Sequence, residues 1–223
     1  VTETTARAGG SLEPARLSGM AAVHRRIEEL LSLPRRPVVL GIVGAPGSGK
    51  TTLADHLLER LGSRAALLSM DGFHLSNAEL ARLGRRDRKG APDTFDAAGY
   101  AHALGRIHAG ESIFAPTFDR RLDEGVAAGT WISAEAEIVL TEGNYLLLDD
   151  TPWADVFAHL DEAWFVGVDD GLRRKRLVAR HMRFGMTEAQ ARAWTLDVDE
   201  PNARRVTASR SRAHRIVEVD DLP

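Results

Sequence analysis

Apolar positions along the chain fall into two kinds of run, short unbroken ones and longer ones with helical spacing. Between Leu12 and Leu33, the positions Leu17, Met20, Ala21, Ile27, Leu30 and Leu31 recur at helical intervals, and Pro34 and Pro37 end the helix they predict. Val38–Val43 is unbroken and apolar, as expected of a strand covered on both faces. A Gly-rich turn comes next, then a helix whose apolar stripe is Leu53, Ala54, Leu57, Leu58 and Leu61, then a second strand from Ala65 to Met70. The segment from Phe73 to Thr94 is polar and loop-like apart from a short helix near Ala78–Leu83. Further along, the pattern predicts a helix over Phe95–His108, a short strand over Ser112–Ala115, and buried strands over Glu137–Thr141 and Glu162–Val168. Two helices, Leu172–Phe184 and Thr187–Leu196, are split at Gly185, and His214–Val219 reads as the final strand. Strands alternating with helices give an α/β fold with a doubly wound, mainly parallel sheet between two helical layers.

Length and composition narrow the reading. With 223 residues, 43% hydrophobic and 27% charged, the chain suits one α/β domain over residues 12–223, preceded by a polar, small-residue tail at 1–11 that reads as disordered. A net charge of −3 argues against a nucleic-acid binder, and no apolar run approaches a membrane span. The absence of cysteine excludes a disulfide framework, a thiolate nucleophile and a cysteine zinc site, and fits a reducing cytoplasm. Lysines number three, Lys50, Lys89 and Lys175, so each one draws notice.

The chemistry begins at Gly44-Ala45-Pro46-Gly47-Ser48-Gly49-Lys50-Thr51-Thr52, which matches G-x-x-x-x-G-K-[ST] between a predicted strand and a predicted helix. Glycines let successive N–H groups face phosphate oxygens, and the helix after them adds its positive end. Lys50 reaches toward the β- and γ-phosphates of ATP, and the Thr51 hydroxyl is a ligand for Mg²⁺. The match carries the predicted fold to a P-loop NTPase, with no guanine motif and no transporter-ATPase signature downstream.

Two acids, Asp71 and Glu142, come directly after predicted strands whose carboxyl ends should face the γ-phosphate. One suits Mg²⁺ and the other suits the proton of an attacking hydroxyl, and from position alone the roles are interchangeable. Asp71-Gly72-Phe73-His74, Arg88 to Asp96 (R-K-G-A-P-D-T-F-D), Pro116-Thr117-Phe118-Asp119 and Glu142-Gly143-Asn144-Tyr145 together resemble, in order, motifs of the bacterial pantothenate kinases and the related uridine kinases. The chain looks nearest the branch labelled nucleoside/nucleotide kinase-like or fructose-transport-system kinase. It lacks the aromatic-rich lid that pantothenate kinases place over their substrate. The resemblance implies that Asp71 is the catalytic base, that Glu142 lies on the Mg²⁺ side, and that the protein is a homodimer acting on a small hydroxyl-bearing metabolite.

Arg173, Arg176 and Arg180 share one helix face, and in uridine kinases arginines at that spacing belong to a lid that closes over ATP, here about residues 170–186. The resemblance makes them catalytic; a solvated basic face is the alternative. His74, Lys89, Asp93, Phe95, Arg120 and Tyr145 are the candidates for holding the acceptor, which could be a sugar, a nucleoside or a pantothenate-like molecule. A different class of function, an ATP-binding regulatory or transport-associated protein without a small-molecule acceptor, uses the same P-loop but has no need of an acceptor-side base.

Overall fold

A computed structural model describes residues 13–35 and 37–218. Strands β1 (Ala15–Ser18), β2 (Val38–Val43), β3 (Ala65–Ser69), β6 (Ile138–Gly143), β7 (Glu162–Gly167) and β8 (Arg215–Glu218) form one six-stranded sheet, while β4 (Ile113–Asp119) and β5 (Glu124–Ile132) form a separate hairpin. Helices are α1 (Met20–Leu31), α2 (Lys50–Leu61), α3 (Asn77–Arg82), α4 (Ala97–His108), α5 (Trp153–Phe157), α6 (Asp170–Arg183), α7 (Glu188–Trp194) and α8 (Glu200–Ala208). The large sheet runs in the order β1-β8-β7-β2-β6-β3, and every neighbouring pair is parallel.

Burial explains the order. All six residues of β2 are buried, so it takes the interior of the sheet between β7 and β6. Its alternate side chains feed two cores. Val38, Leu40 and Ile42 pack with Val23, Ile27 and Leu30 of α1 and Leu53 and Leu57 of α2. Val39 and Val43 pack on the opposite face with Tyr100 and Leu104 of α4 and Trp153 and Val156 of α5. The sheet therefore lies between two helical layers, the three-layer α/β arrangement of P-loop proteins. Connections leave β2 toward β6 and β3 on one side and toward β7 and β8 on the other, so a crevice opens at the carboxyl end of β2.

Several sequence expectations shift. The helix expected from Leu12 begins at Met20; Ala15–Ser18 instead forms the edge strand β1 against β8, because four extended residues gain a parallel partner there. The tail expected at residues 1–11 lies outside the described residues, as do Leu12 and Val219. The strand expected to stop at Ala115 continues to Asp119 and pairs antiparallel with β5, which the pattern does not predict. Most of β5 is exposed and rich in Ala and Gly, so no alternation marks it. Helices α5 and α8 are likewise absent from the pattern.

Candidate functional site: a phosphate-binding loop facing an acceptor cleft

Between β2 and α2 the chain turns through Gly44–Gly49 with Gly47 and Gly49 at positive φ, 82° and 95°. A Cβ on Gly47 would stand 2.9 Å from the Arg173 carbonyl oxygen and from Leu177 Cγ, so the loop and α6 approach this closely only because the residue is glycine. The Ser48 side chain is buried within the loop, and its Oγ has no hydrogen-bond partner. A buried hydroxyl without a partner is rare unless a ligand completes it. Lys50 opens α2; burial pushes its ammonium below its ordinary value, against the opposing pull of the Glu142 and Asp71 carboxylates.

The two acids sit on adjacent strands. Glu142 is buried near the end of β6, where Ser69 Oγ donates to its Oε1 at 2.7 Å and Thr51 Oγ1 to its Oε2 at 3.4 Å. Burial raises its pKa, with the Lys50 charge acting the other way. Asp71 lies just beyond β3 in a tight turn over Met70–Phe73, and its N–H donates to Ser69 Oγ at 3.3 Å. Ser69 thus ties both acids together through one hydroxyl. Gly72 keeps this turn against the hairpin, since a Cβ there would sit 2.3 Å from the Pro116 carbonyl oxygen. Arg120, at the hairpin tip, places Nη2 3.6 Å from Asp71 Oδ2.

A cleft of about 510 Å³ runs outward from Lys50 and Thr51 past Asp71, with His74, Phe95 and Phe118 along one wall. The His74 ring lies between Phe95 and Phe118, at centroid distances of 4.0 and 4.8 Å. Its Nδ1 is 2.9 Å from the Asp71 carbonyl oxygen, so Nδ1 carries the hydrogen and donates; burial lowers the ring's pKa and favours the neutral form. Arg180 borders both this cleft and a smaller hollow of about 310 Å³ over Gly47, Gly49, Thr51 and Thr52. Although the residue as a whole is exposed, loss of hydration around its guanidinium lowers its pKa, as does the nearby charge of Arg120.

A family model described as an AAA domain matches residues 39–221. The chain belongs to this family of P-loop kinases. It is 32% identical over 209 residues to the uncharacterized protein YggC of Escherichia coli (strain K12), covering 89% of this chain and 87% of the relative. It is 33% identical over 189 residues to a protein of Schizosaccharomyces pombe provisionally named a uridine kinase, covering 79% of this chain and 80% of the other. A pantothenate kinase of Leifsonia xyli subsp. xyli matches at 26% over 236 residues, with 92% of this chain and 73% of the other covered. Among solved structures, one provisionally named a fructose transport system kinase, from Silicibacter sp. TM1040, superposes with a TM-score of 0.81 at 34% identity, covering 88% of this chain and 98% of that one.

In this P-loop kinase the residues singled out in the sequence divide into those that reach the cleft and those held elsewhere. Lys50, Thr51, Asp71, His74, Lys89, Phe95, Arg120 and Arg180 all line it. Arg176 borders the hollow over the loop. Arg173 does not join them: it is 2% exposed, and its guanidinium bonds to Asp170 at 3.0 Å and to Glu200. The face shared by Arg173, Arg176 and Arg180 is therefore split, the first residue facing the body of the protein where α8 offers a carboxylate. Arg174, exposed on the same helix, also reaches Glu200 at 3.2 Å.

Two acceptor candidates need correction. Asp93 turns away from the cleft into ion pairs with Arg88 at 2.6 Å and Arg85 at 3.4 Å, because two guanidiniums flank it in the same loop. Tyr145 is fully buried and donates its hydroxyl to the Gly90 carbonyl, anchoring the Lys89–Gly90 loop from beneath. Lys89 lines the cleft, but its Nζ is already bonded to Asn77 Oδ1 at 2.8 Å and to Asp123 Oδ2 at 2.9 Å. Ser69, Asp123, Trp194, Asp199 and Asn202 escape the sequence reading, and Asn144 enters it only within the Glu142–Tyr145 motif; all but Ser69 line the cleft. Only Ser69, at the end of a predicted strand and two residues before an acid, carries a usable signal.

Proposed function

We propose that the protein transfers the γ-phosphoryl group of ATP to a hydroxyl on a small metabolite. The observation that carries this reading is the placement of Asp71, which stands in one continuous cleft between the phosphate loop and a part-aromatic wall. The loop fits a polyphosphate: Ser48 Oγ lacks a partner, and Gly47 leaves no Cβ to fill the cradle. We assign Lys50 and the backbone of Gly44–Thr52 to the phosphates. Mg²⁺ would be held by Thr51 and Glu142, whose side chains already meet, and would supply neutralising charge to the phosphate oxygens.

Within this reading Asp71 accepts the proton of the acceptor hydroxyl and holds its oxygen in line. Arg120, 3.6 Å from it, orients the carboxylate. Lys50 and Arg180 face the region where charge accumulates on the transferring group. Helix α6 is the lid, with Arg176 and Arg180 as its working face and Arg173 as the fastening that sets its position. The names of the relatives support uridine, pantothenate or fructose as acceptors to try. ADP release in ATP-Mg against a panel of nucleosides, sugars, polyols and pantothenate, with Asp71→Asn as control, tests the reading. Turnover that needs one acceptor and vanishes in the variant supports it. Turnover that needs no acceptor, or survives in Asp71→Asn, removes it and favours an ATP-binding regulatory role.

A further inference from the structure

Helices α7 and α8 are joined by one wide turn, Thr195–Asp199, in which the Glu200 N–H reaches back five residues to the Thr195 carbonyl. Pro201 supplies the cause: it has no N–H to offer residue 197, and its ring would press on that carbonyl in a regular helix. The extra residue re-phases the helix beyond it. In an unbroken α-helix residues five apart stand about 140° apart around the axis, and one inserted residue removes about 100° of that. Trp194 and Asp199 are thereby brought to one side, and both line the acceptor cleft together with Asn202. Three contacts fix this side to the lid: His181 of α6 meets Asp199 Oδ2 at 2.7 Å, and Glu200 is bonded to both Arg173 and Arg174.

The chemistry of this wall is an indole face beside a carboxylate and a carboxamide. Such groups suit a molecule that has C–H surface on one side and hydroxyls on its edge, since carboxylate oxygens accept from O–H while a carboxamide both donates and accepts. The arginines and lysines bordering the cleft are committed elsewhere, and His181, which also borders it, is held by Asp199. Arg86 and Lys89 pair with Asp123 at 3.1 and 2.9 Å, Arg120 faces Asp71, and Lys50 and Arg180 belong to the phosphate end. Asp199 would repel an acid placed against this wall.

Building on the kinase reading, we infer that the wide turn is the acceptor-specificity element, and that it selects a neutral, polyhydroxylated molecule over a carboxylate-bearing one. One hydroxyl of that molecule meets Asp71, and the others meet Asp199 and Asn202 while its apolar face covers Trp194.

The test is calorimetric binding in the presence of Mg²⁺ and a non-hydrolysable ATP analogue. Neutral sugars and polyols are compared with their matched sugar acids, in the native protein and in Trp194→Ala and Asn202→Ala. Neutral members should bind the native protein and the acids should not. Each variant should weaken the neutral acceptor by roughly tenfold or more while binding the ATP analogue as the native protein does. Circular dichroism confirms the fold of each variant. Sugar acids binding as tightly as the neutral compounds would overturn the inference. So would both variants binding neutral acceptors normally, or no neutral acceptor binding while the analogue binds. Neutral binding that is sensitive to both variants but yields no phosphorylation with ATP would remove the kinase reading alone. Phosphorylation of an acid in preference to its neutral partner would remove this inference alone.

Discussion

Replacing Arg173 and Arg180 separately by alanine distinguishes architecture from chemistry on a single helix. Seven residues apart on α6, Arg173 is buried whereas Arg180 is exposed beside the cleft, and their contacts differ accordingly. Arg173→Ala takes from Glu200 its buried partner; burial works against the Glu200 charge, and the hydrogen bonds of Arg173 and Arg174 outweigh it, holding its pKa below the ordinary value. Breaking a buried pair costs about 3–5 kcal/mol, and the low end applies here because Arg174 remains 3.2 Å from Glu200. About 3 kcal/mol in a domain of this size lowers Tm by roughly 6–12 °C. Arg180→Ala removes an exposed cation with no ion-pair partner within 4.0 Å among the described residues, so stability should hold. An arginine acting on a transferring phosphoryl is worth about 10³–10⁵ in kcat, or roughly 4–7 kcal/mol of barrier. Thermal melts and ADP release on the purified variants measure both quantities. The reasoning fails if Arg180→Ala keeps kcat within tenfold, or if Arg173→Ala melts like the native protein while losing a thousandfold in rate.

The same contacts support other perturbations. Asp71→Asn should lower kcat by about 10²–10⁴ with nucleotide affinity unchanged, read by turnover beside a nucleotide titration. Tyr145→Phe leaves the half-buried Gly90 carbonyl without its donor and should cost about 0.5–1.5 kcal/mol, with KM rising for the acceptor and not for ATP. Gly72→Ala forces the Asp71 turn away from Pro116, so both Tm and kcat should fall; retention of full activity would contradict the tight packing of turn on hairpin. For Glu162, burial opposes ionisation, but hydrogen bonds from Arg26 and Trp164 hold its pKa below 4.5. Its stabilisation is therefore complete above that pH and is lost as pH falls through the lower native value. Glu162→Gln should lose about 1–3 kcal/mol at neutral pH and show a shallower decline on acidification, measured by denaturant melts from pH 3 to 7.

What the sequence reveals and what it hides have physical causes. The phosphate loop is legible because glycine, lysine and hydroxyl residues are required there in fixed order, and the flanking strand and helix show continuous and periodic burial. Asp71 and Glu142 stand out because charged residues at the ends of buried strands are costly without a purpose. The hairpin partner β5 is hidden: exposed Ala and Gly residues carry no period. The commitment of Arg173 is hidden as well, since its partner Glu200 lies 27 residues further along, on a helix the pattern does not predict. Motif position puts Asp93 and Tyr145 on the acceptor side, but it gives no information on where a side chain points. One arginine pair and one buried hydroxyl bond turn them away. The wide turn before Pro201 is the subtlest case, because that proline lies beyond the helix predicted over Thr187–Leu196 and its effect is to change the face presented by α8.

The most direct test of the central claim is ³¹P nuclear magnetic resonance of the protein with ATP, Mg²⁺ and an acceptor panel containing sugars, polyols, nucleosides and pantothenate. The account predicts a new phosphomonoester resonance that grows with ADP in equal amount, depends on one class of acceptor, and is absent with Asp71→Asn. ADP appearing only with inorganic phosphate, whatever acceptor is present, would contradict it.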